Sequence, residues 1–467
     1  MSNAIERLRQ QVVQDGNLQP LRVLCGSGAL GNGIPRAALA RGFQQKPHFV
    51  GCDMGSIDPG PYYLGTGKIG TSERVTRSDL EQVLLGCRSA DIPLLIGTAG
   101  TAGSILHVEQ VVKMVRDVAA LHGLHFKLAW IHADIAASVV IEAIGEQSVR
   151  PLGHMPDLTA DDVTNCRAVV GQMGVEPFQR ALLEGADVVI AGRACDTAIF
   201  AAIPLMLGYP AATSLHLSKI IECSSLCCVP GGSDAILGTI EGETFVLESM
   251  NPDRIVTPMS AAAHSLYEES DPYIIHEPDG VVTLRNVRFE DIDGRRVRGS
   301  GAQWVPHTQH TIKIEGSAYE GERAILSAAT ADPNVIAHLS EILKAMERVV
   351  AETLAQTEVG EYRLWFRKYG IDGVVDWPHP PETPPREVFI LGECVAESAD
   401  TAKAVLTVVK QKMLHFGFPG RTTTAGNLAF PMTPPEMAIG PAYRFRVYHV
   451  MDVADSGALF PVFHEQI

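Results

Sequence analysis

The chain has 467 residues, 46% of them hydrophobic and 20% charged, with a formal charge of −16. That length exceeds one ordinary core and calls for two or three domains, and the composition is that of a water-soluble globular protein. The acidic balance, with no Lys/Arg-rich run, excludes nucleic acid as a partner, because phosphate binding needs a basic surface. No apolar run approaches the roughly 20 residues of a membrane span, and Met1-Ser2-Asn3-Ala4-Ile5-Glu6-Arg7 lacks the form of a signal peptide, so a cytoplasmic protein is expected. Nine cysteines, including the pair Cys227-Cys228, have no regular spacing and read as reduced thiols.

Leu21–Cys25 reads as the first strand, followed by Gly26-Ser27-Gly28-Ala29-Leu30-Gly31 and a helix from about Pro35. Gly26, Gly28 and Gly31 have the G-x-G-x-x-G spacing that brings backbone N–H groups to a phosphate. His48–Asp53 is a second strand, and its terminal Asp53 stands where a dinucleotide fold keeps its ribose-binding acid. NAD(P) binding is therefore one reading, although glycine turns are common in any α/β protein.

Residues Met54 to Thr71 form a Gly- and Pro-rich stretch long enough to be a functional loop. Ser78-Asp79-Leu80-Glu81 has capping-box spacing and predicts a helix through Ala90. Pro93–Ile96 then gives way to Gly97–Ser104, where Thr98, Gly100 and Thr101 offer hydroxyls and N–H groups to a carboxylate or phosphate, with no P-loop lysine. Phe126–Ile131 is a fourth strand that ends in His132 and Asp134. Two residues apart on extended chain, they can share a metal, relay a proton or simply hydrogen-bond one another; no third ligand is set by spacing, and no metal is assigned.

After a helix near Glu176–Glu184, the run Val188–Ala191 stops at Gly192 and crosses Arg193-Ala194-Cys195. It restarts at helical spacing with Asp196 or Thr197 as cap. Five strand ends thus finish in small or polar residues, which places a pocket along one edge of a parallel sheet, where ligands of open α/β sheets bind. Arg193 and Thr197 are anion-binding candidates there, and Asp196 is an acid–base candidate. Further on, Glu222 beside Cys223 has the makings of a base and a nucleophile, or of a packed thiol.

Beyond about residue 245 the texture changes to short strands such as Val281–Leu284, Thr311–Ile314 and Arg386–Leu391 around long helices at Asn334–Gln356 and Ser398–Met413. Asp376–Pro385 reads as a stiff connector, and Arg421 within His415–Asn427 as a clamp for a carboxylate or phosphate. The expected class is α/β: a doubly wound, mostly parallel sheet in residues 1–245 and an α+β domain in 246–467.

With these residues in view the chain resembles the acyclic terpene utilisation (AtuA-like) family. The resemblance rests on Gly26–Gly31, on Glu184–Ala198 with its Gly-Ala-Asp-hydrophobic-Gly-Arg-x-x-Asp pattern, on Ile221-Glu222-Cys223, on Val256-Thr257-Pro258 and on Leu266–Pro272. Asn32 and Ser224–Cys228 depart from the family pattern. The resemblance implies breakdown of branched or polycarboxylic acids, free or as CoA thioesters, and a small companion subunit.

The leading expectation is a lyase or hydratase in which His132, Asp134, Asp196, Glu222 or Cys223 moves a proton beside a carbonyl. It needs no separate cofactor, only the CoA moiety where the substrate carries one. The others are an NAD(P)-dependent oxidoreductase and a non-catalytic acyl-binding subunit. A homo-oligomer is expected.

Overall fold

The computed structural model describes residues 4–268, 270–357, 359–379, 382–421 and 428–467. They form two compact units, one made of the chain up to Ala318 together with Phe445–Ile467, the other of Tyr319–Arg444. The sequence reading places its boundary near 245. Residue 245 instead lies inside a strand of the first unit's large sheet, and residues 246–318 stay in that unit: Arg288–Asp291 and Val297–Ser300 widen the large sheet, while Ile274–Glu277, Gly280–Thr283 and Gln303–Pro306 form a small sheet of their own.

The first unit is built on five parallel strands: β1 (Leu21–Ser27), β2 (Phe49–Asp53), β3 (Leu94–Gly97), β4 (Lys127–Ile131) and β5 (Val188–Ala191). Their spatial order is β1-β2-β3-β5-β4. Helices α1 (Arg36–Gln44), α2 (Glu73–Ala90) and α3 (Ile105–His122) cover one face, packing on Leu24, Val50, Leu94 and Ile96. Helices α4 (Glu176–Leu183), α5 (Asp196–Leu207) and α6 (Ala211–Ile221) cover the other, against Val23, Phe49, Leu95 and Val189. Alternate residues of one strand therefore feed two cores, which is why these strands read as continuous apolar runs.

Because parallel crossovers are right-handed, the helices change face where the strand order reverses, here between β3 and β5. Ligands of such sheets bind at that switch, beyond the carboxyl ends of the strands. Antiparallel strands widen the sheet on both sides: Ile236–Glu241, Thr244–Ser249, Val297–Ser300 and Arg288–Asp291 beyond β1, and Val462–Gln466 beyond β4. The sheet is thus doubly wound and parallel at its centre, with antiparallel flanks.

In the second unit, helices Pro333–Leu354 and Ala399–His415 pack on strands that include Tyr362–Tyr369 and Val388–Ala396, an α+β arrangement with its own apolar core.

One long-range contact organises the first unit's glycine turn. α2 starts at Glu73 after Ser72, not at the predicted capping box, so Asp79 lies inside the helix. Its buried carboxylate accepts from the backbone N–H groups of Gly31 (3.0 Å), Gly33 (2.9 Å) and Ile34 (2.9 Å). Gly31 and Gly33 have φ of 107° and 97°, a conformation that favours glycine. Asp79 thus supplies in cis the negative charge that a phosphate would bring. Hydrogen bonds to a charged group are worth about 1.5–3 kcal/mol each. Asp79→Ala is expected to destabilise the unit by about 4 kcal/mol, seen as a lower urea midpoint. An unchanged midpoint would show that the turn holds itself.

Candidate active site

A cavity of about 330 Å³ opens at the carboxyl ends of the central strands. Gly28, Ala29 and Asn32 line it after β1; Asp53, Met54, Gly55, Ser56 and Asp58 line it at the end of β2. Thr101 follows β3, Asp196 follows β5, and Cys223, Tyr267 and Glu268 close a wall. Four of the five predicted strand ends therefore converge. The Met54–Thr71 stretch, predicted as a functional loop, contributes Tyr63, Gly70 and Thr71 as well. Gly28 has a packing reason to be glycine: a Cβ there would lie 2.6 Å from the Cys223 backbone and the Glu222 carbonyl.

The acids here are held away from water. Asp53 is buried and its carboxyl is raised well above the ordinary value, first by desolvation and then by the charge of Asp196. Asp196 occupies the first turn of α5 behind Cys195, and it too is raised by burial, with Arg193 and Lys219 drawing it back down. Asp196 is the largest charge acting to raise Asp53, so its ionisation disfavours that of Asp53. Asp53 Oδ1 and Asp196 Oδ1 have no hydrogen-bond partner among the described residues.

Behind the wall, Glu222 is pushed up to about 8 by desolvation, against the pull of Lys219. Lys219 Nζ donates to Glu222 Oε1 at 2.8 Å. The Tyr267 hydroxyl lies 3.0 Å from the same oxygen and 2.8 Å from Cys223 Sγ.

Arg193 is also deep. Its Nε donates to Glu315 Oε2 at 2.9 Å and its Nη2 to Glu315 Oε1 at 3.3 Å, while Lys313 reaches Glu315 Oε1 at 3.0 Å. Glu315 is fully buried, yet its carboxyl is lowered, because these two cations outweigh desolvation. Arg193 thus has a resident carboxylate and acts on the cavity through its field on Asp53 and Asp196.

The remaining predicted residues have local work. Gly26 lies within β1 against Cys52. Thr98 Oγ1 accepts from the Ala194 amide at 3.3 Å, Gly100 turns at φ 67° beside His107, and Thr101 Oγ1 accepts from the Gly70 amide at 2.8 Å. Together they tie the loop after β3 to its neighbours. Thr197 is buried in α5, its hydroxyl without a partner among the described residues.

The β4 end does not join the cavity wall. Asp134 Oδ2 accepts from the Ile105 amide at 2.6 Å and so caps α3, and His132 packs its ring on Phe463, 4.7 Å between centroids. His132 and Asp134 are not arranged as a relay with one another. Arg421, in the second unit, donates to the carbonyls of Phe416 and Leu414 at the end of a helix. The threonines expected beside it, Thr422–Thr424, lie outside the described residues.

The dinucleotide reading of the glycine turn meets a specific obstacle. The amides of Ala29 and Leu30 are taken by Ser27 Oγ and the Asp53 carbonyl, and those of Gly31, Gly33 and Ile34 by Asp79. A pyrophosphate would have to displace that carboxylate.

Lys219, Tyr267, Asp79 and Glu315 were not foreseen as site residues. Only Tyr267 carried a signal, standing in the Leu266–Pro272 segment on which the family resemblance rests. All nine cysteines are free thiols. Among the described residues no group of three or more His, Cys, Asp or Glu is placed to hold a metal ion, and no helix is long and apolar enough to cross a membrane.

A doubly wound α/β unit with a cavity at its strand ends is an architecture that binds ligands at that edge. Residues 72–235 and 238–442 match the family described as acyclic terpene utilisation family protein AtuA, and the chain belongs to that family. The matched ranges contain Glu184–Ala198, Ile221–Cys223 and Leu266–Pro272 but begin after the first glycine turn. The family's description ties it to the utilisation of acyclic terpenes, a catabolic role. No curated protein and no solved structure matches the chain significantly.

Proposed function

We propose that the protein is an acid–base enzyme of carboxylic-acid breakdown, a lyase or hydratase acting on a branched acyl thioester in the strand-end cavity. The observation that carries this reading is the pair Asp53 and Asp196, which line one cavity with unpartnered carboxyl oxygens and are both raised by burial, Asp53 the further. Addition or elimination next to a carbonyl needs one group to remove a proton and another to hydrogen-bond the oxygen where charge gathers. Asp53, raised the further, is the acid; Asp196, held down by Arg193 and Lys219, is the base.

The lining also selects the form of the substrate. Asp53, Asp58, Asp196 and Glu268 line the cavity, and among the described lining residues there is no lysine or arginine. A free carboxylate finds no cation on these walls to neutralise it, whereas a neutral acyl chain enters with its thioester carbonyl against Asp53. The CoA group then stays outside, and tricarboxylates are poor substrates.

The test is proton exchange in heavy water. Branched enoyl- and hydroxyacyl-CoA thioesters are incubated with the protein, and deuterium at the α-carbon is followed by mass spectrometry. Incorporation that is lost in Asp196→Asn supports the reading. No incorporation across the panel, or incorporation unaffected by Asp53→Asn and Asp196→Asn, overturns it.

A further inference from the structure

The wall formed by Cys223 and Tyr267 is not needed for the Asp53–Asp196 pair, yet a connected chain of polar side chains runs through it. Lys219, Glu222, Tyr267 and Cys223 are linked end to end at 2.8, 3.0 and 2.8 Å. The Tyr267 ring is gripped on both sides: the Lys219 ammonium sits 4.4 Å from its centroid and the His264 ring stacks on it at 4.4 Å. A tyrosine held this firmly offers its hydroxyl in one orientation. Glu222 Oε2, in a residue 2% exposed, has no hydrogen-bond partner among the described residues, so the inner end of the chain has an oxygen to spare. The outer end, Cys223, lines the cavity.

From this geometry we infer that Cys223 is a covalent nucleophile toward an α,β-unsaturated acyl carbonyl, with Tyr267 and Glu222 as the relay that removes its proton. The inference rests on the acyl reading of the cavity and adds a step to it. Burial pushes the Cys223 thiol well up, so it does not ionise by itself near neutrality. The relay supplies the missing base. The thiol proton passes to the Tyr267 oxygen as the Tyr267 proton passes to Glu222 Oε1. The sulfur forms a bond to the β-carbon, the C=C π pair shifts toward the carbonyl, and the resulting enolate takes a proton from the neutral member of the Asp53–Asp196 pair. The sum is addition of S–H across the double bond, with no oxidant or reductant, and it reverses by the same path.

Conjugate addition suits this wall better than attack on the carbonyl carbon. A tetrahedral oxyanion wants a pair of free amides, and those of Ala29, Leu30 and Gly31 in the adjoining turn are occupied. An enolate oxygen needs only one matched acid, and Asp53 is such an acid.

The test uses acrylamide, a small uncharged conjugated carbonyl, on the full chain, with modified cysteines located by peptide mass mapping. Cys223 is expected to react first of the nine, ahead of the partly exposed Cys166 and Cys195, with a rate that climbs as Glu222 loses its proton. Tyr267→Phe keeps the ring contacts with Lys219 and His264 and hence the melting temperature. It is expected to slow labelling about a hundredfold and remove the inflection from the pH profile. Should that variant not fold, Glu222→Gln reads the same relay one step further in.

Labelling of Cys166 or Cys195 with Cys223 untouched overturns the nucleophile. An unchanged rate and profile in folded Tyr267→Phe overturns the relay. Acrylamide labelling needs no turnover, so failure here leaves the heavy-water result standing, and failure there leaves this one readable.

Discussion

Asparagine at position 196 is expected to slow α-proton exchange by about 10²–10⁴-fold, the range general acid–base groups contribute, while leaving the fold intact. The amide is nearly isosteric and sits at the same place in the first turn of α5, so the helix start and its buried neighbours Thr197 and Ala198 are undisturbed. What it removes is the second carboxyl of the pair. Without the Asp196 charge, the largest charged contribution raising Asp53 is gone, and Asp53 moves down while burial, the larger cause, still keeps it raised. The variant therefore loses the base and leaves less of Asp53 protonated to act as the acid. Exchange measured against pH should show a residual rate whose alkaline limb, where Asp53 loses its proton, has moved to lower pH. A rate within a factor of about three of the parent would mean that the cavity carboxyls do not move the proton.

Glu315→Gln is expected to be the most damaging conservative change for stability, by about 3–5 kcal/mol. Glu315 is fully buried and neutralises Arg193 and Lys313 together, through hydrogen bonds of 2.9, 3.3 and 3.0 Å. The amide fills the same space but leaves Arg193, whose side chain is 6% exposed, as an uncompensated buried charge. Lys313 is 25% exposed and can turn toward water, so Lys313→Met should cost much less. The site responds in a defined direction as well. An Arg193 charge freed from Glu315 pulls harder on Asp53 and Asp196 and lowers both, so the exchange profile shifts toward acid. Urea unfolding followed by tryptophan fluorescence, beside that profile, checks both parts. A small stability loss with an unmoved profile would show that the Arg193–Glu315 pair is incidental to the cavity.

The parallel strands were legible because burial on both faces leaves no alternative to short apolar runs. Leu94–Gly97 and Val188–Ala191 are such runs, each stopped by a glycine. Convergence of the strand ends was legible for the same reason, and Gly28, Asp53, Thr101, Asp196 and Cys223 do line one cavity.

What escaped the sequence was contact between distant segments. The β4 end leaves the cavity because the C-terminal strand Val462–Gln466 pairs with β4 and the His132 amide donates to Pro461, some 330 residues away in the chain. Asp79 has cap chemistry, but the amides it collects belong to a turn 45–48 residues earlier. The change of texture after residue 245 was real, yet alternating strands look alike whether they widen an existing sheet or found a new one. Here Arg288–Asp291 and Val297–Ser300 do the former, and Ile274–Glu277 and Gly280–Thr283 belong to a small separate sheet of the same unit.

The central claim is that the cavity's acids are held as neutral carboxyls where ordinary acids are ionised. Infrared spectroscopy reads this directly, because a protonated carboxyl has a carbonyl stretch separate from that of a carboxylate. At about pH 7, well above the ordinary glutamate range, the parent protein should show this band. The part due to Glu222 should vanish in Glu222→Gln and titrate away near pH 8. A second part should vanish in Asp53→Asn. A spectrum at that pH with no protonated carboxyl, or a band untouched by either substitution, would contradict the account.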